Sequence, residues 1–310
     1  MTAAGDESNH YYVFGLRVRS ALPLPELIPA ADTEVPDVTI GLGLIPEANG
    51  AEPGLSVVDG ALVLVIEGVA KYRIESGQRI TVEPEPGAPN RNVRLYLLGS
   101  AFGALLHQRG LLPLHANAIE VGARAVAFMG ASGEGKSTLA AWFHDRDYNV
   151  IADDVCVVRM TSDRRAFAAP GQQRLRLWKE ALEASGRDPS IHVRSFVGRE
   201  DIDKFDVPFE LQRRRTEDCE LAAVYLLAAA PEFSIERLGG VQATQAVFDH
   251  TYRGFYVNEA GSQRQHWKSA VALVQCIPIF RVDRPRDLSL MDEHGRRILG
   301  HLASVLSGSA

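Results

Sequence analysis

Apolar and polar positions alternate in several short runs before about residue 90. "YYVFGLRVRS", "DVTIGLG", "ALVLVIEG", "AKYRIE" and "RITVEPE" are rich in β-branched and aromatic residues, which is typical of strands. The prolines of "ALPLPELIPAADTEVP" prevent a regular helix between the first two runs. The pattern predicts a small β-rich unit over residues 11–90, and the polar residues 1–10 are predicted to be disordered.

The periodicity changes in "NVRLYLLGSAFGALLHQRG", where apolar positions recur three and four residues apart. We therefore predict a helix that ends before Gly110, a residue that tolerates positive φ. The patterns that follow predict an α/β unit over residues 91–310. Strands are predicted at "LLPLHANAIEV" and "RAVAFMG", a helix at "KSTLAAWFHDRD" and a buried strand at "YNVIADDVCVVRM". A loop-rich section around "AAPGQQRLRLWKEALEASG" is followed by a strand at "CELAAVYLLAA" and by two or three closing helices, with the strand "IPIFRVDRP" before the last helix.

Composition narrows the class of protein. Of the 310 residues, 46% are hydrophobic and 23% are charged, which is ordinary for a globular protein. The net charge of -6 gives no support for a nucleic-acid binder, and no apolar run approaches the roughly 20 residues of a membrane span. The three cysteines lack metal-site spacing, and the first ten residues do not form a secretion signal. We predict a cytoplasmic protein of enzyme size.

"GASGEGKST" matches the phosphate-binding pattern G-x-x-x-x-G-K-[ST] between an apolar run and an amphipathic helix. Glycines let successive backbone N–H groups face an anion, and the helix that follows adds the positive end of its dipole. Lys136 is suited to bridging the β- and γ-phosphates, and Ser137 to binding Mg²⁺. We predict ATP or GTP binding, with contacts from Gly130, Ser132, Gly133, Glu134, Gly135, Lys136, Ser137 and Thr138.

Two adjacent carboxylates, Asp153 and Asp154, follow within the apolar run "VIADDVCVV". Burial of two charges is costly unless a cation or a proton-transfer role compensates. Side chains of neighbouring strand residues face opposite sides, unless the strand ends or bulges there. One carboxylate is therefore expected to hold Mg²⁺ and the other to accept a substrate proton. We favour Asp153 for the metal and Asp154 as the base, although the sequence does not separate them.

Four further candidates carry positive charge or a ring nitrogen. His115 precedes the strand that leads to the loop strand, and a lone histidine there is either structural or part of the site. Arg174 and Arg176 in "QQRLRLWKE" could contact transferring phosphoryl oxygens, or could belong to a solvated helix start. Lys204 in "DIDKFDVPF" is a candidate of the same kind.

The segment from "LLPLHANAIEV" to "VIADDVCVV" resembles the catalytic core of the HPr kinase/phosphorylase family, whose general fold phosphoenolpyruvate carboxykinases share. The resemblance covers roughly residues 110–160 and implies a P-loop catalytic domain with a mixed β-sheet. It also implies that His115 is the active-site histidine, that Lys136 and Ser137 serve ATP and Mg²⁺, and that Asp153 and Asp154 are the acid/base and metal pair.

Two departures from that family bear on the substrate. The downstream glycine-containing signature tied to phosphorolysis is absent, and the first 90 residues do not resemble the family's N-terminal domain. "YYVFGLRVRSALPLPEL", "QRLRLWKEAL" and "IPIFRVDRPRDLSLM" are instead similar to HPr-kinase-like proteins of lasso-peptide biosynthesis. That branch phosphorylates the C-terminal serine of a ribosomal precursor peptide, so the resemblance implies an ATP-dependent serine kinase with a peptide partner.

Two other functions stay open on the sequence. One is an HPr-type kinase/phosphorylase or a small-molecule kinase, and the other is a non-catalytic ATP-binding adaptor of a biosynthetic complex. The aspartate pair argues against the adaptor, because a scaffold has little need of two buried carboxylates beside a phosphate site. HPr kinases form homo-oligomers, so the resemblance also allows one here.

Overall fold

The structure is a computed structural model that describes residues 9–32, 35–209 and 215–308. The prediction of disorder for residues 1–10 therefore falls mostly outside the described residues. Asn9 and His10 lie in the first strand. Among the described residues, no helix combines the length and the apolar character needed to cross a membrane.

The first sheet is built from the alternating runs near the start of the chain. "YYVFGLRVRS" was expected to be one strand, and this is wrong: it forms a hairpin whose turn has positive φ at Phe14 (56°) and Gly15 (73°). Eight strands pair in the order β3-β1-β2-β4-β8-β7-β6-β5. Strands β1 to β8 span Asn9–Val13, Leu16–Ser20, Ile28–Pro29, Val38–Leu42, Gly54–Val58, Ala61–Ile66, Ala70–Glu75 and Arg79–Pro84.

The predicted helix lies next along the chain. It consists of α1 (Asn90–Tyr96), one π-helical turn at Leu97–Ala101 and α2 (Phe102–Gln108), and it ends before Gly110, whose φ is 68°. Its apolar residues share one core with the first sheet and with Tyr252, which lies far along the chain. This helix therefore joins the first sheet to the rest of the protein.

A second sheet of nine strands and a small third sheet (β15-β17-β16) follow. Strands β9 to β20 span Leu112–Leu114, Ala116–Val121, Arg124–Met129, Asn149–Ala152, Cys156–Met160, Ala166–Ala169, Arg174–Trp178, Val193–Arg194, Lys204–Pro208, Cys219–Ala229, Ser234–Arg237 and Ile279–Arg284. Helices α3 to α8 span Lys136–His144, Lys179–Ala184, Gly240–Asp249, Tyr256–Glu259, Gln263–Cys276 and Met291–Leu306. Single 3₁₀ turns lie at Pro46–Ala48, Pro189–Ile191 and Leu288–Leu290.

The second sheet is mixed, which confirms the predicted α/β class with a mixed sheet. Strand β18 is parallel to β11 on one side and to β20 on the other, while β10, β12, β13 and β14 pair antiparallel with their neighbours. The proposed division into units 11–90 and 91–310 stays a prediction.

Two predicted strands are each broken in the middle. "LLPLHANAIEV" is interrupted at His115, between β9 and β10, and "YNVIADDVCVVRM" at Asp153–Val155, between β12 and β13. The physical reason is an exchange of partners, because β10 pairs with β12 whereas β9 pairs with β13. Both breaks bring candidate site residues out of regular pairing.

The loop-rich section also needs correction. Residues Arg174–Trp178 form strand β15, which pairs antiparallel with β17, and α4 follows directly. The alternative of a solvated helix start for Arg174 and Arg176 is therefore wrong, since both lie on a strand inside the protein.

The last helix supports the helix of the phosphate loop. Gly295 of α8 packs on the indole of Trp142 in α3, so closely that a Cβ at Gly295 would lie 2.5 Å from the ring. The Trp142 Nε1 donates a hydrogen bond to Asp292 Oδ1 at 3.1 Å. Ile298 and Leu302 of α8 are fully buried in the core that contains this contact.

Candidate active site

The loop Gly130–Gly135 connects β11 to α3, as the sequence predicts. Two of its glycines are required by the structure. A Cβ at Gly130 would lie 2.8 Å from the carbonyl oxygen of Leu227, and Gly135 has a φ of 72° directly before the helix. Backbone N–H groups at this turn and at the start of α3 can therefore face an anion.

Lys136 is buried at the start of α3. Its Nζ donates hydrogen bonds to the carbonyl oxygens of Gly130 (2.8 Å) and Ala131 (3.0 Å). Burial lowers the pKa of this ammonium group from 10.5 to about 8, against the pull of Asp154 and Asp153. The side chain is thus held within the loop, where a phosphate would meet it.

Asp153 lies against the second residue of α3. Ser137 Oγ donates to Asp153 Oδ1 at 2.9 Å, and the backbone N–H of Arg176 donates to Asp153 Oδ2 at 2.7 Å. Burial raises the pKa of this carboxyl group, and the two hydrogen bonds oppose that effect. A hydroxyl and a carboxylate side by side fit Mg²⁺, which takes oxygen ligands and is usually held by one or two protein groups plus phosphate oxygens.

Asp154 takes a different direction from its neighbour. Its φ of 70° turns the chain at the end of β12, so that its carboxylate lies 3.4 Å from the ring Nδ1 of His115 and 3.4 Å from Nη1 of Arg176. Burial disfavours its charge, but the positive charges of Arg176, Lys204 and Lys136 outweigh burial and lower its pKa. Asp154 is therefore ionised at neutral pH.

His115 is held by the backbone on both sides. The backbone N–H of His115 donates to the carbonyl oxygen of His250 at 2.7 Å, and the ring Nδ1 lies 3.2 Å from the carbonyl oxygen of Asp154. Burial lowers the pKa of the ring although Asp154 opposes this, so the imidazole is neutral near pH 7. It can position Asp154 without a permanent charge.

The two arginines of β15 lie in different places. Arg176 lines the site, whereas Arg174 lies behind it, paired with Asp206 at 3.1 Å and almost fully buried. Asp206 also accepts a hydrogen bond from Ser195 Oγ at 2.7 Å and lies 3.5 Å from Arg176 Nε. Arg174 and Arg176 therefore share the Asp206 carboxylate. The position of Arg174 behind the site does not support its predicted contact with phosphate.

Lys204 does face the site. Its Nζ lies 4.6 Å from the centre of the Trp178 ring, an arrangement in which the ring attracts the cation. Burial lowers the pKa of Lys204 although Asp154 opposes this.

Two cavities meet at these residues. A recess of about 110 Å³ over the loop is lined by residues including Gly133, Lys136, Ser137 and Thr138. A cleft of about 860 Å³ extends from it toward Tyr252 and is partly lined by Gly130 and Ala131. Both cavities are lined by His115, Ser132, Asp154, Arg176 and Lys204.

Glu134 lines neither of these cavities. It forms an ion pair with Arg286, and its carbonyl oxygen accepts a hydrogen bond from Arg284 at 2.7 Å. The residue borders a separate recess of about 200 Å³ with Thr138 and Met291. Its predicted contact with nucleotide would therefore come from this side.

Several residues of the site were not found in the sequence. Asp206 belongs to the short strand β17, Ser195 directly follows β16, and neither segment has a recognisable motif. Arg253 lies in the connection between α5 and α6. Asn117, in β10, donates to the carbonyl oxygen of Lys136 and fixes the first turn of α3. The strand-like pattern of "LLPLHANAIEV" places Asn117 two residues after His115, which is the one signal that could have indicated it.

Comparisons with known proteins leave the family open. No protein-family model matches the chain, and no curated protein matches it. Among solved structures, the Hpr(Ser) kinase/phosphatase from Coxiella burnetii is similar, with 15% identity and a TM-score of 0.32, over 62% of this chain and 97% of that one. At this TM-score the likeness carries no weight in the assignment of the site.

Proposed function

We propose that the protein is an ATP-dependent serine kinase that transfers the γ-phosphoryl group to a serine hydroxyl. The observation that carries the proposal is the position of Asp154, which lines both the recess over the phosphate loop and the larger cleft. An acceptor hydroxyl in the cleft can thus meet a phosphoryl group in the recess at a carboxylate. A nucleotide-binding scaffold has no need of this arrangement.

The loop side binds the nucleotide. Backbone N–H groups at Gly135 and at the start of α3 would hold the phosphates, and Lys136 would leave the carbonyl oxygens of the loop to neutralise their charge. Ser137 and Asp153 would hold Mg²⁺, which would neutralise negative charge on the phosphates when it is bound. The hydrogen bond from the backbone N–H of Arg176 would keep the Asp153 carboxylate in position for this role.

The cleft side receives the acceptor. The serine oxygen forms a bond to the γ-phosphorus while the bond from that phosphorus to the β–γ bridging oxygen breaks. The hydroxyl proton passes to Asp154, which is ionised and is positioned by His115 and Arg176. Lys204 and Arg176 face the same space and can stabilise the charge on the transferring oxygens.

A peptide is the acceptor that we favour. The cleft of about 860 Å³ has apolar and aromatic walls, including Tyr96, Phe196 and Phe255, and can hold several residues of a chain in extended form. Together with the sequence resemblance, this supports the C-terminal serine of a lasso-peptide precursor as the phosphorylated group.

The test is mass spectrometry of synthetic peptides that end in serine after incubation with ATP and Mg²⁺. We expect a gain of one phosphoryl group (HPO₃) that fragmentation places on the terminal serine. A peptide ending in alanine is the matched control for the acceptor, and Lys136→Ala is the control for the enzyme. Tight ATP binding without any phosphopeptide across the panel would refute the kinase and favour the adaptor.

A further inference from the structure

Arg253 lies on the wall of the large cleft and takes no part in the mechanism above. It follows α5, has a φ of 51°, and donates from Nη2 to Ser100 Oγ at 2.9 Å. The guanidinium carbon lies 5.8 Å from the Tyr252 ring centre and 6.0 Å from that of Phe255. An arginine with positive φ is uncommon, and such a residue persists only where its surroundings hold it.

The surroundings of Arg253 do hold it. The N–H of Tyr252 donates to the carbonyl oxygen of Pro113 at 2.8 Å, and the carbonyl oxygen of Tyr252 lies 2.9 Å from His107 Nε2. The Tyr252 ring packs on Gly103, where a Cβ would lie 3.1 Å from it. Ser100, the partner of Arg253, belongs to the π-helical turn, an irregularity that is frequent at functional sites.

The charge of Arg253 has no carboxylate partner. Arg174 and Arg176 both form ion pairs, but among the described residues no Asp or Glu oxygen lies within 4.0 Å of the Arg253 guanidinium. Arg253 lines the large cleft but is not among the residues that line the recess over the phosphate loop. The N–H groups of Arg253 that do not meet Ser100 or Tyr252 are thus available to a ligand on the acceptor side.

We propose that Arg253 binds the terminal carboxylate of the acceptor peptide, an inference that rests on the proposed kinase function. A C-terminal serine carries its carboxylate a few bonds from the hydroxyl that must reach Asp154. Asp154 repels a second carboxylate nearby, so this anion needs a cation of its own in the cleft. A guanidinium is suited to this task, because its planar fork binds both carboxylate oxygens at once.

The test compares two forms of one serine-terminated peptide, the free acid and the C-terminal amide. For the wild-type enzyme we expect kcat/KM to be about 10- to 100-fold higher for the acid, the range of a charge-assisted hydrogen-bonded pair. Arg253→Asn should remove this preference, and asparagine should keep the local fold because it tolerates positive φ. The affinity for ATP should stay unchanged, because Arg253 does not line the recess over the phosphate loop. Arg253→Lys should retain part of it.

Arg164→Asn is the matched control, because Arg164 also has positive φ (63°) but does not line the cleft. It should keep the full preference for the acid. Equal phosphorylation of acid and amide by the wild type, or an acid preference that survives in Arg253→Asn, would overturn the inference and leave the kinase intact. Absence of phosphorylation for every serine peptide would overturn the kinase, and the inference with it. Should Arg253→Asn not fold, the wild-type comparison and Arg253→Lys decide.

Discussion

The affinity for nucleotide is expected to fall as the pH rises, because of Lys136. Burial lowers the pKa of this ammonium group from 10.5 to about 8 in the ligand-free protein. Phosphate oxygens beside it would favour the charged form and return the pKa toward its ordinary value. Binding above the lower pKa therefore requires uptake of a proton, and the affinity must decrease with pH.

The magnitude follows from the two pKa values. Below about pH 8 the lysine is charged in both states, and the affinity is independent of its titration. Between the two values, the affinity falls by up to about tenfold for each pH unit. If binding restores the pKa fully, the dissociation constant of an ATP analogue with Mg²⁺ should rise roughly 20-fold between about pH 7.5 and about pH 9.5.

Isothermal titration calorimetry of a non-hydrolysable ATP analogue measures this effect. The proton uptake is obtained from buffers of different ionisation enthalpy, and it should approach one proton at the higher pH. Lys136→Arg stays charged throughout and should give a flat profile. A flat profile in the wild type would refute the reasoning, and a slope that persists in Lys136→Arg would assign the titration to another group such as Lys204, whose pKa burial also lowers.

Three further predictions concern single residues. Asp154→Asn should lower kcat by roughly 10²- to 10⁴-fold in steady-state kinetics, with ATP affinity nearly unchanged, because it removes the proton acceptor. Ser137→Ala should raise the Mg²⁺ concentration required for half-maximal activity by about 10-fold or more, since it removes an oxygen ligand beside Asp153. Asp206→Asn should lower the free energy of unfolding in urea by about 3–5 kcal/mol, because it leaves Arg174 buried without its ion-pair partner. A near-native kcat, an unchanged Mg²⁺ requirement or an unchanged unfolding midpoint would contradict the respective prediction.

The phosphate loop could be predicted from the sequence because its residue types are themselves the requirement. Glycine is needed where a side chain would collide or where φ is positive, and lysine and serine are needed for their functional groups. The apolar run before the loop and the amphipathic run after it supplied the strand and the helix. In this loop, the residues that define the sequence pattern are the same residues that the predicted function requires.

The strand breaks at His115 and Asp154 could not be predicted in the same way. The residues on either side of both positions are mostly apolar, so their patterns predict continuous strands. The breaks result from long-range pairing, in which each chain segment exchanges one neighbour for another. For the same reason the sequence left the roles of Asp153 and Asp154 unassigned, whereas the positive φ of Asp154 turns their carboxylates to different partners.

Arg174 and Arg253 show why the sequence does not reveal which cationic side chains can bind a ligand. Arg174 was a candidate because an arginine can stabilise transferring phosphoryl oxygens, but the strand places it beside Asp206 and away from the recess. Arg253 was not a candidate, since nothing in "HTYRGFY" signals a positive φ or a position in the cleft. Pairing partners, which decide whether a cation is available to a ligand, come from distant parts of the chain.

The contact between Gly295 and Trp142 has a consequence for enzyme engineering. The N–H groups that we propose to bind the phosphates lie at the start of α3. Near the other end of that helix, the Trp142 ring packs on the last helix of the chain and leaves no room for another carbon at Gly295. Even alanine at position 295 would collide with the Trp142 ring, so that α3, α8 or the ring itself would have to move. A methyl group added at position 295 could thus change the affinity for a nucleotide with which it makes no contact.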